Sequence, residues 1–337
     1  MRENGLFVIS SSPHIKDKDN IPKVMWTVVI SLMPPLAAGI YFFGLRVLII
    51  TIVSTVTSIS TEALIQKLTH RKITIFDGSS AVTGILLAMV IPPEVPIWLP
   101  VIGSFCSIAI AKAPFGGLGN NIFNPALIGR AILLASFPVY MTSWSPPTAG
   151  LIDHSTYVTK VDSITGATTL AIIKGGNIEK ITSIWNLFIG REAGSIGETS
   201  VLALLLGASV LLAKKYITWH IPFSFIGTVA ILNFFAQLFG EHNFKMILVQ
   251  IFSGGLVLGA FFMATDMVTS PLTKKGGLIF GSGAGVLTFV IRTFGGFPEG
   301  VCYAILLMNA FTPLIDRYVR PRRFGFSGWI KKFGDNK

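Results

Sequence analysis

Apolar residues in this chain form long runs separated by short polar segments, and they do not recur with the spacing of an amphipathic helix or strand. Such runs are typical of helices that cross a hydrocarbon core about 30 Å thick, for which about 20 apolar residues are needed. The pattern predicts ten membrane spans. They cover residues 24–43, 45–65, 79–92, 97–111, 122–139, 199–213, 218–239, 246–265, 277–293 and 299–316.

The composition indicates an all-α polytopic membrane protein. Of the 337 residues, 51% are hydrophobic and 13% are charged, and the mean hydropathy is +0.68. Soluble domains carry about 25% charged residues, so about half of the usual charge is missing. The two cysteines, Cys106 and Cys302, lie in apolar runs and are interpreted as packing residues.

Lysine and arginine are distributed unevenly between the two sides that the predicted spans define. With the N-terminus in the cytoplasm, 19 of the 27 basic residues lie on the inner side, seven on the outer side, and Arg130 within a span. Because cytoplasmic segments carry the excess of basic residues, both termini are predicted to be cytoplasmic. The same distribution explains the net charge of +11 without a nucleic-acid partner.

One long polar segment divides the chain into two halves with five predicted spans each. The predicted parts are a cytoplasmic arm, a first half, an extracytoplasmic loop, a second half and a basic cytoplasmic tail, at residues 1–23, 24–140, 141–197, 198–317 and 318–337. Because five is an odd number, the two halves would enter the membrane from opposite sides, as inverted repeats do. The polar arm does not have the pattern of a signal peptide.

Several polar residues in or beside the predicted spans are candidates for function, since charges in hydrocarbon are costly. Arg130 lies within a span and either pairs with a carboxylate or carbonyls for packing, or contacts a bound group. Asp77 precedes an apolar helix and is explained by helix initiation. Asn124 ends the glycine run FGGLGNNIFNP, which lacks the lysine of a phosphate-binding loop. Together with Asp266, it predicts a broken helix that lines a pocket or an ion path.

Six separated motifs occur in the order found in a known family. They are SSPHIKDKDNIPKVMWTVVISLMPPLAAGIYFFG (11–44), KAPFGGLGNNIFNPALIGRA (112–131), DSITGAT (162–168), GREAGSIGETS (190–200), FFMATDMVTSP (261–271) and TFGGFPEGVCYAILLMNAFTPLIDRY (293–318). The chain resembles the D subunit of the Rnf ion-translocating ferredoxin:NAD oxidoreductases and, more distantly, the B subunit of the sodium-pumping NADH:quinone reductases. The resemblance covers almost the whole length and implies a fold similar to that of urea transporters.

The family attaches FMN through a phosphoester to the last hydroxyl of Asp-x-x-Ser/Thr-Gly-Ala-Thr/Ser. By this resemblance Thr168 is the expected acceptor, in a motif that Asp162, Thr165, Gly166 and Ala167 complete. A threonine hydroxyl without a neighbouring base is a poor nucleophile, so we expect it to be the substrate of a separate flavin transferase. A compatible alternative is a helix start with Thr165 as its N-cap.

The resemblance also implies part of a second, non-covalent flavin site, for riboflavin or FMN, in the motif GREAGSIGETS. Glycine would allow a ring to approach closely, and the polar side chains would bind its edges. A simple helix entry is the alternative. The candidate contacts are Gly194, Ser195, Glu198 and Ser200, with Arg130 and Asn124 as further candidates; no metal ligand and no catalytic residue is expected.

These observations predict a subunit that carries electrons through covalent FMN in the cytoplasmic (inner) membrane. By resemblance, its complex couples ferredoxin:NAD oxidoreduction to sodium or proton transport, and the chain alone catalyses no reaction. The expected partners are the other subunits of that complex, including a second subunit with covalent flavin, a flavin transferase and membrane lipid. Two alternatives are a flavin-free solute transporter or channel of the same fold, and the B subunit of a quinone reductase.

Overall fold

The computed structural model describes residues 19–144, 147, 168–174, 183–239, 245–296 and 299–320, and in these ranges the chain is helical, without β-strands. In chain order the helices are α1 (Ile21–Phe43), α2 (Leu45–Leu68), α3 (Ser79–Met89), α4 (Trp98–Ala111), α5 (Pro125–Ser136), α6 (Pro138–Met141), α7 (Thr169–Lys174), α8 (Ile184–Ile189), α9 (Val201–Ala213), α10 (His220–Phe239), α11 (Lys245–Phe252), α12 (Leu256–Leu258), α13 (Lys274–Phe294) and α14 (Val301–Tyr318). A 3₁₀ turn (Ile75–Asp77) precedes α3, and a π-helical turn (Gly259–Met263) continues α12.

Helical structure lies in each of the ten apolar segments, with boundaries within three residues of those predicted. By length and composition, four helices in the described ranges can cross a membrane: α1, α2, α10 and α13. A fifth crossing results if α11 and the α12 segment count as one bent span. Four apolar helices are shorter, and α3, with 11 residues, is only about 16 Å long. The chain is therefore a helical membrane protein with several spans.

The segment 246–265, which the sequence predicted as one continuous span, is broken. Its two helical parts meet at an angle of 59°. Gly254 and Gly255 lie between them with φ of +67° and +66°, the left-handed region that favours glycine. The prediction of a single helix was wrong here because an apolar run does not reveal a change of backbone direction.

The same pattern of helix contacts occurs in both halves of the chain. In the first half α2 packs against α3 and α4, and α4 packs against α5. In the second half α10 packs against α11 and α13, and α13 packs against α14. The first helices of the two halves, α1 and α9, contact each other directly. Their contact is close because Gly207 of α9 lies against the backbone of Ser31, where a Cβ would be 2.0 Å from the carbonyl oxygen.

Candidate functional site

Thr168 lies at the start of α7, where its side chain is 6% exposed. The backbone N–H of Ala171 donates a hydrogen bond to the Thr168 hydroxyl oxygen over 3.2 Å, which is the geometry of a helix N-cap. A helix therefore does follow the motif, with its cap at Thr168. The other motif residues, Asp162, Thr165, Gly166 and Ala167, lie outside the described residues.

The helix α7 is docked on two other parts of the bundle. The Thr169 hydroxyl donates a hydrogen bond to the carboxylate of Glu192 in the GREAGSIGETS segment. The side chain of Leu170, 4% exposed, packs on Gly254, where a Cβ would meet Leu170 Cδ1 at 2.3 Å. A larger residue at position 254 would displace α7, so the helix break and the Thr168 helix are fitted to each other.

A small cavity of about 20 Å³ lies beside the Thr168 hydroxyl. Its lining comes from four separate segments of the chain and includes Thr168, Glu192, Gly194, Glu198, Gly254 and Glu299. A cavity of this size has room for about one water molecule. Two of the candidates predicted from the sequence, Gly194 and Glu198, therefore lie next to the predicted attachment residue.

A buried ion pair adjoins this cavity. Arg130 Nη2 donates to Glu299 Oε2, and the side chains of Arg130 and Glu299 are 7% and 14% exposed. The carboxylate partner of Arg130 is Glu299, and a contact of Arg130 with a bound group stays a prediction. Glu299 was not identified as a candidate from the sequence. It stands at the start of the last apolar segment, where an acidic residue is typical of a solvent-exposed loop.

Arg292 is a second buried arginine, and it holds the broken span together. Its side chain lies at the end of α13 and donates to carbonyl oxygens of Gln250, Ser253 and Gly254, where α11 ends. It also donates to the carbonyl of Glu299 over 3.0 Å. The predicted topology placed Arg292 among the basic residues of the outer side, whereas in the structure Arg292 is buried, with 7% of its surface exposed. Carbonyls freed by a helix break need such donors.

Four buried polar atoms in this region have no hydrogen-bond partner among the described residues, and only the two glutamate oxygens belong to residues that line the cavity. The four atoms are Ser195 Oγ, Glu198 Oε1, Glu299 Oε1 and Arg130 Nε. Buried polar atoms in folded proteins are nearly all hydrogen-bonded, so a group of four is unusual. The unpaired glutamate oxygens accept hydrogen bonds, so a donor such as water fits beside them and an anionic phosphate does not.

Ser200 has a structural role. Its hydroxyl accepts a hydrogen bond from Ala203 N over 3.3 Å and caps α9. The helix-entry interpretation of GREAGSIGETS therefore holds for Ser200. Ser195 is fully buried beside Glu198, and Gly194 approaches the Glu198 carboxylate, where a Cβ would be 3.3 Å from Oε2. The motif thus contributes one capping residue, Ser200, and two of the predicted candidates, Gly194 and Glu198, to the lining of the Thr168 cavity.

Asn124 belongs to a different polar centre. Its Oδ1 accepts from Ala126 N at 3.0 Å and caps α5, and its Nδ2 donates to Met263 O at 3.3 Å. Together with Asp266 and Lys112 it lines a cavity of about 80 Å³. The structure therefore does not bring Asn124 to the Thr168 cavity.

Lys112 is the central cation of this second centre. Its Nζ donates to Glu62 Oε2 over 2.7 Å and to Ser79 Oγ over 2.6 Å, and the lysine and glutamate side chains are 3% and 5% exposed. On its other side Lys112 borders an open cavity of about 460 Å³, whose lining includes Arg71 and Lys72. Glu62 is the only acidic residue of α2, a signal that would have identified it in the sequence.

With the geometry described, comparison with known proteins assigns the family. The model of the NQR2, RnfD, RnfE family matches residues 8–325. The chain belongs to the NQR2, RnfD, RnfE family. Full-length relatives agree with this assignment.

Three relatives illustrate the similarity. The D subunit of the proton-translocating ferredoxin:NAD(+) oxidoreductase complex from Clostridium ljungdahlii is 46% identical over 332 residues, covering 96% of this chain and 97% of the relative. The D subunit of the Na(+)-translocating ferredoxin:NAD(+) oxidoreductase complex from Acetobacterium woodii is 46% identical over 326 residues, with 96% of each chain covered. The D subunit of the ion-translocating oxidoreductase complex from Escherichia fergusonii is 39% identical over 348 residues, covering 95% and 99%.

The expected FMN can be tested against the site of this NQR2, RnfD, RnfE family member. Thr168 lines the cavity together with Glu192, Glu198 and Glu299, and carboxylates repel an anionic phosphate ester, so an ester on Thr168 would lie outside this cavity. A cavity of about 20 Å³ does not enclose a flavin ring, so a ring attached here would lie outside it. Thr168 can therefore hold a tether only outside this cavity.

The structure also changes one expectation about attachment. A separate transferase needs an accessible acceptor, whereas Thr168 is buried, because Leu170 docks α7 against Gly254. A transferase would reach the hydroxyl only with α7 undocked.

Proposed function

We propose that this chain is the D subunit of an ion-translocating ferredoxin:NAD oxidoreductase complex. The observation that carries the proposal is the similarity over the full length, at 46% identity, to two proteins named as that subunit. The named ion is the proton in one relative and sodium in the other, so the proposal includes either ion. Other subunits of the complex, including a second subunit with covalent flavin, are the proposed partners.

In this proposal the chain carries FMN as a phosphoester on Thr168. The complete motif from Asp162 to Thr168 supports the assignment. Bound FMN supplies the electron-transfer chemistry, and the protein positions it and controls the charge around it. A flavin transferase would form the ester, since a threonine hydroxyl is by itself a poor nucleophile.

The proposed membrane arrangement has ten crossings in two inverted halves, as in urea transporters, in the cytoplasmic membrane. The equivalent helix pairs in the two halves support it. A contact between segments predicted on the same side also supports it: Arg46, at the start of α2, donates to the carbonyls of Glu94 and Val95 at 3.0 and 3.1 Å. Both termini would be cytoplasmic, with Thr168 on the outer side and lipid around the exposed apolar residues.

A second, non-covalent flavin, riboflavin or FMN, is part of the proposal by family resemblance. The cavity at Gly194 and Glu198 has room for about one water molecule. A flavin at this motif would therefore bind on the outside of the bundle or against another subunit.

The attachment is tested by producing the chain together with a flavin transferase and viewing the denatured protein on a gel under ultraviolet light. We expect a fluorescent band for the wild type and for Thr168→Ser, and none for Thr168→Ala. Thr169→Ala is the matched control and should stay fluorescent, because the Thr169 hydroxyl is bonded to Glu192. A fluorescent Thr168→Ala band, or a wild type with the mass of the bare polypeptide, would contradict the assignment.

A further inference from the structure

The open cavity of about 460 Å³ lies where the membrane-spanning part of α2 ends. α2 is long and apolar enough to cross a membrane, and its last residue is Leu68. Thr69, Arg71 and Lys72 follow it and line the cavity, as does Ile21 at the start of α1. The cavity therefore opens at a membrane surface, and its volume is in the range of pockets that bind small molecules.

The positive charge of this cavity is only partly neutralised by acidic residues. Its charged lining residues are Arg71, Lys72, Lys112, Glu62 and Asp77, a net charge of +1. Glu62 pairs with Lys112, and Asp77 accepts from the backbone N–H and the hydroxyl of Ser79 at 2.8 and 2.7 Å. Among the described residues, no carboxylate oxygen lies within 4.0 Å of the charged groups of Arg71 and Lys72.

Hydrogen bonds to α2 fix the backbone of the loop that carries these two side chains. Gln66 Nε2 donates to Thr74 Oγ1, and Thr74 N donates to Gln66 Oε1, both over 2.9 Å. Arg71 N donates to Gln66 O over 2.9 Å. The loop is thus held beside the cavity without the use of its charged groups, and such preorganisation lowers the cost of binding a ligand.

The rest of the lining is largely apolar and includes Ile21, Ile65 and Ile108. Leu68 and Phe76, which adjoin lining residues in the sequence, are 69% and 82% exposed. A ligand that suits both parts has an anionic group for the basic side chains and hydrocarbon chains for the apolar ones. Basic pockets between membrane helices bind the head groups of anionic lipids in this way.

We propose that this cavity binds the head group of an anionic phospholipid. The phosphate lies between Arg71 and Lys72, and the acyl chains extend past Ile21 and Leu68 into the membrane. A free phosphate ion would leave the apolar lining unused, so the observations favour the lipid. The site shares no lining residue with the Thr168 cavity, and it does not depend on a flavin.

The test measures the thermal unfolding midpoint of the purified full-length chain in detergent with increasing mole fractions of phosphatidylglycerol. A ligand that binds the folded state raises the midpoint, so we expect a saturable increase. Phosphatidylcholine, which has no net charge, and inorganic phosphate should not produce it. Arg71→Gln/Lys72→Gln should raise the mole fraction for half-maximal stabilisation by about thirtyfold, since each basic residue beside an anionic lipid contributes roughly fivefold.

Two further variants are the controls. Lys274→Gln/Lys275→Gln removes two adjacent exposed bases at the start of α13, on the same predicted side but outside this cavity, and should respond to the lipid like the wild type. Arg71→Lys/Lys72→Arg keeps both charges and should also respond. All three variants change exposed side chains, so their midpoints without lipid should match that of the wild type.

Three results would overturn the inference. Equal weakening in the two glutamine variants would mean a general attraction of anionic lipid to the basic surface. Equal stabilisation by phosphatidylcholine, or none by phosphatidylglycerol, would mean that no anionic lipid site exists. The same stabilisation by inorganic phosphate would assign the cavity to a free anion.

Discussion

Two buried ion pairs lie at separate polar centres of this protein, and they use different residues. Arg130 and Glu299 adjoin the Thr168 cavity, and Lys112 and Glu62 lie beside the cavity that contains Asn124. A buried charge is tolerated when a partner and further hydrogen bonds replace its water. Lys112 meets this condition through Glu62 and Ser79.

The Lys112 pair predicts a specific pattern of stability. Lys112→Met or Glu62→Gln alone should destabilise the protein by about 3–5 kcal/mol, since each leaves the partner buried without its counter-charge. The double variant should be destabilised by less than the sum of the two. Midpoints of thermal unfolding in detergent, measured for the four proteins of this cycle, check the prediction.

The exposed pair Lys23–Asp19 provides the control for that cycle. Its side chains are 51% and 36% exposed, so solvent screens the interaction. Lys23→Met should leave the unfolding midpoint within experimental error. Additive effects at Lys112 and Glu62 would show that the two side chains do not depend on each other.

The chemistry of single residues was only partly predictable from the sequence. The motif singled out Thr168, and the structure places it beside Gly194 and Glu198, two other candidates. Lys112 and Arg292 were counted as loop charges because both follow or end apolar runs. Their burial depends on contacts with distant segments, which hydropathy along the chain does not contain.

At the scale of helices, the apolar pattern predicted positions well and the broken span poorly. Boundaries agree within three residues because lipid-facing and core-facing positions are both apolar, and the runs end where the polar loops begin. The break at Gly254 and Gly255 was missed because glycine is common inside membrane helices. The donors of Arg292, more than thirty residues away, stabilise the free carbonyls there.

Because α1 and α9 pack closely, alanine at a glycine in their contact should destabilise the protein, whereas alanine at a glycine in open space should not. Gly207→Ala should lower the unfolding midpoint, with a cost of about 1–3 kcal/mol from overpacking, because its Cβ would be 2.0 Å from Ser31 O. Gly227→Ala in α10 is the matched control, since no atom lies within 4 Å of its Cβ. It should be neutral or stabilising, because alanine favours a helix over glycine. Equal midpoints for both variants would contradict close contact of α1 and α9.

For the molecule as a whole, the hydrogen bonds of Arg46 indicate which segments of the chain lie at the same end of the first helices. Arg46 follows α1, a full-length span, and Lys72 follows α2, the next one. Arg46, at the start of α2, donates to the carbonyl of Glu94, so Glu94 lies near that start. Lys72 follows the other end of α2, so Glu94 and Lys72 lie at opposite ends of this helix. The only α-helix between Lys72 and Glu94 is α3, which is about 16 Å long. In the proposed ten-crossing arrangement, α3 and the non-helical residues that flank it together carry the chain across the membrane.

Cysteine labelling tests this arrangement and the proposed outer position of Thr168. In a background with Cys106→Ala and Cys302→Ser, Glu94→Cys and Lys72→Cys each provide one exposed thiol. Serine at position 302 keeps a donor for Leu127 O, which the Cys302 thiol contacts. A membrane-impermeant maleimide should label Glu94→Cys in right-side-out vesicles and Lys72→Cys only in inside-out vesicles. Labelling of both from one side would mean that α3 does not carry the chain across, and a reversed pattern would place Thr168 in the cytoplasm.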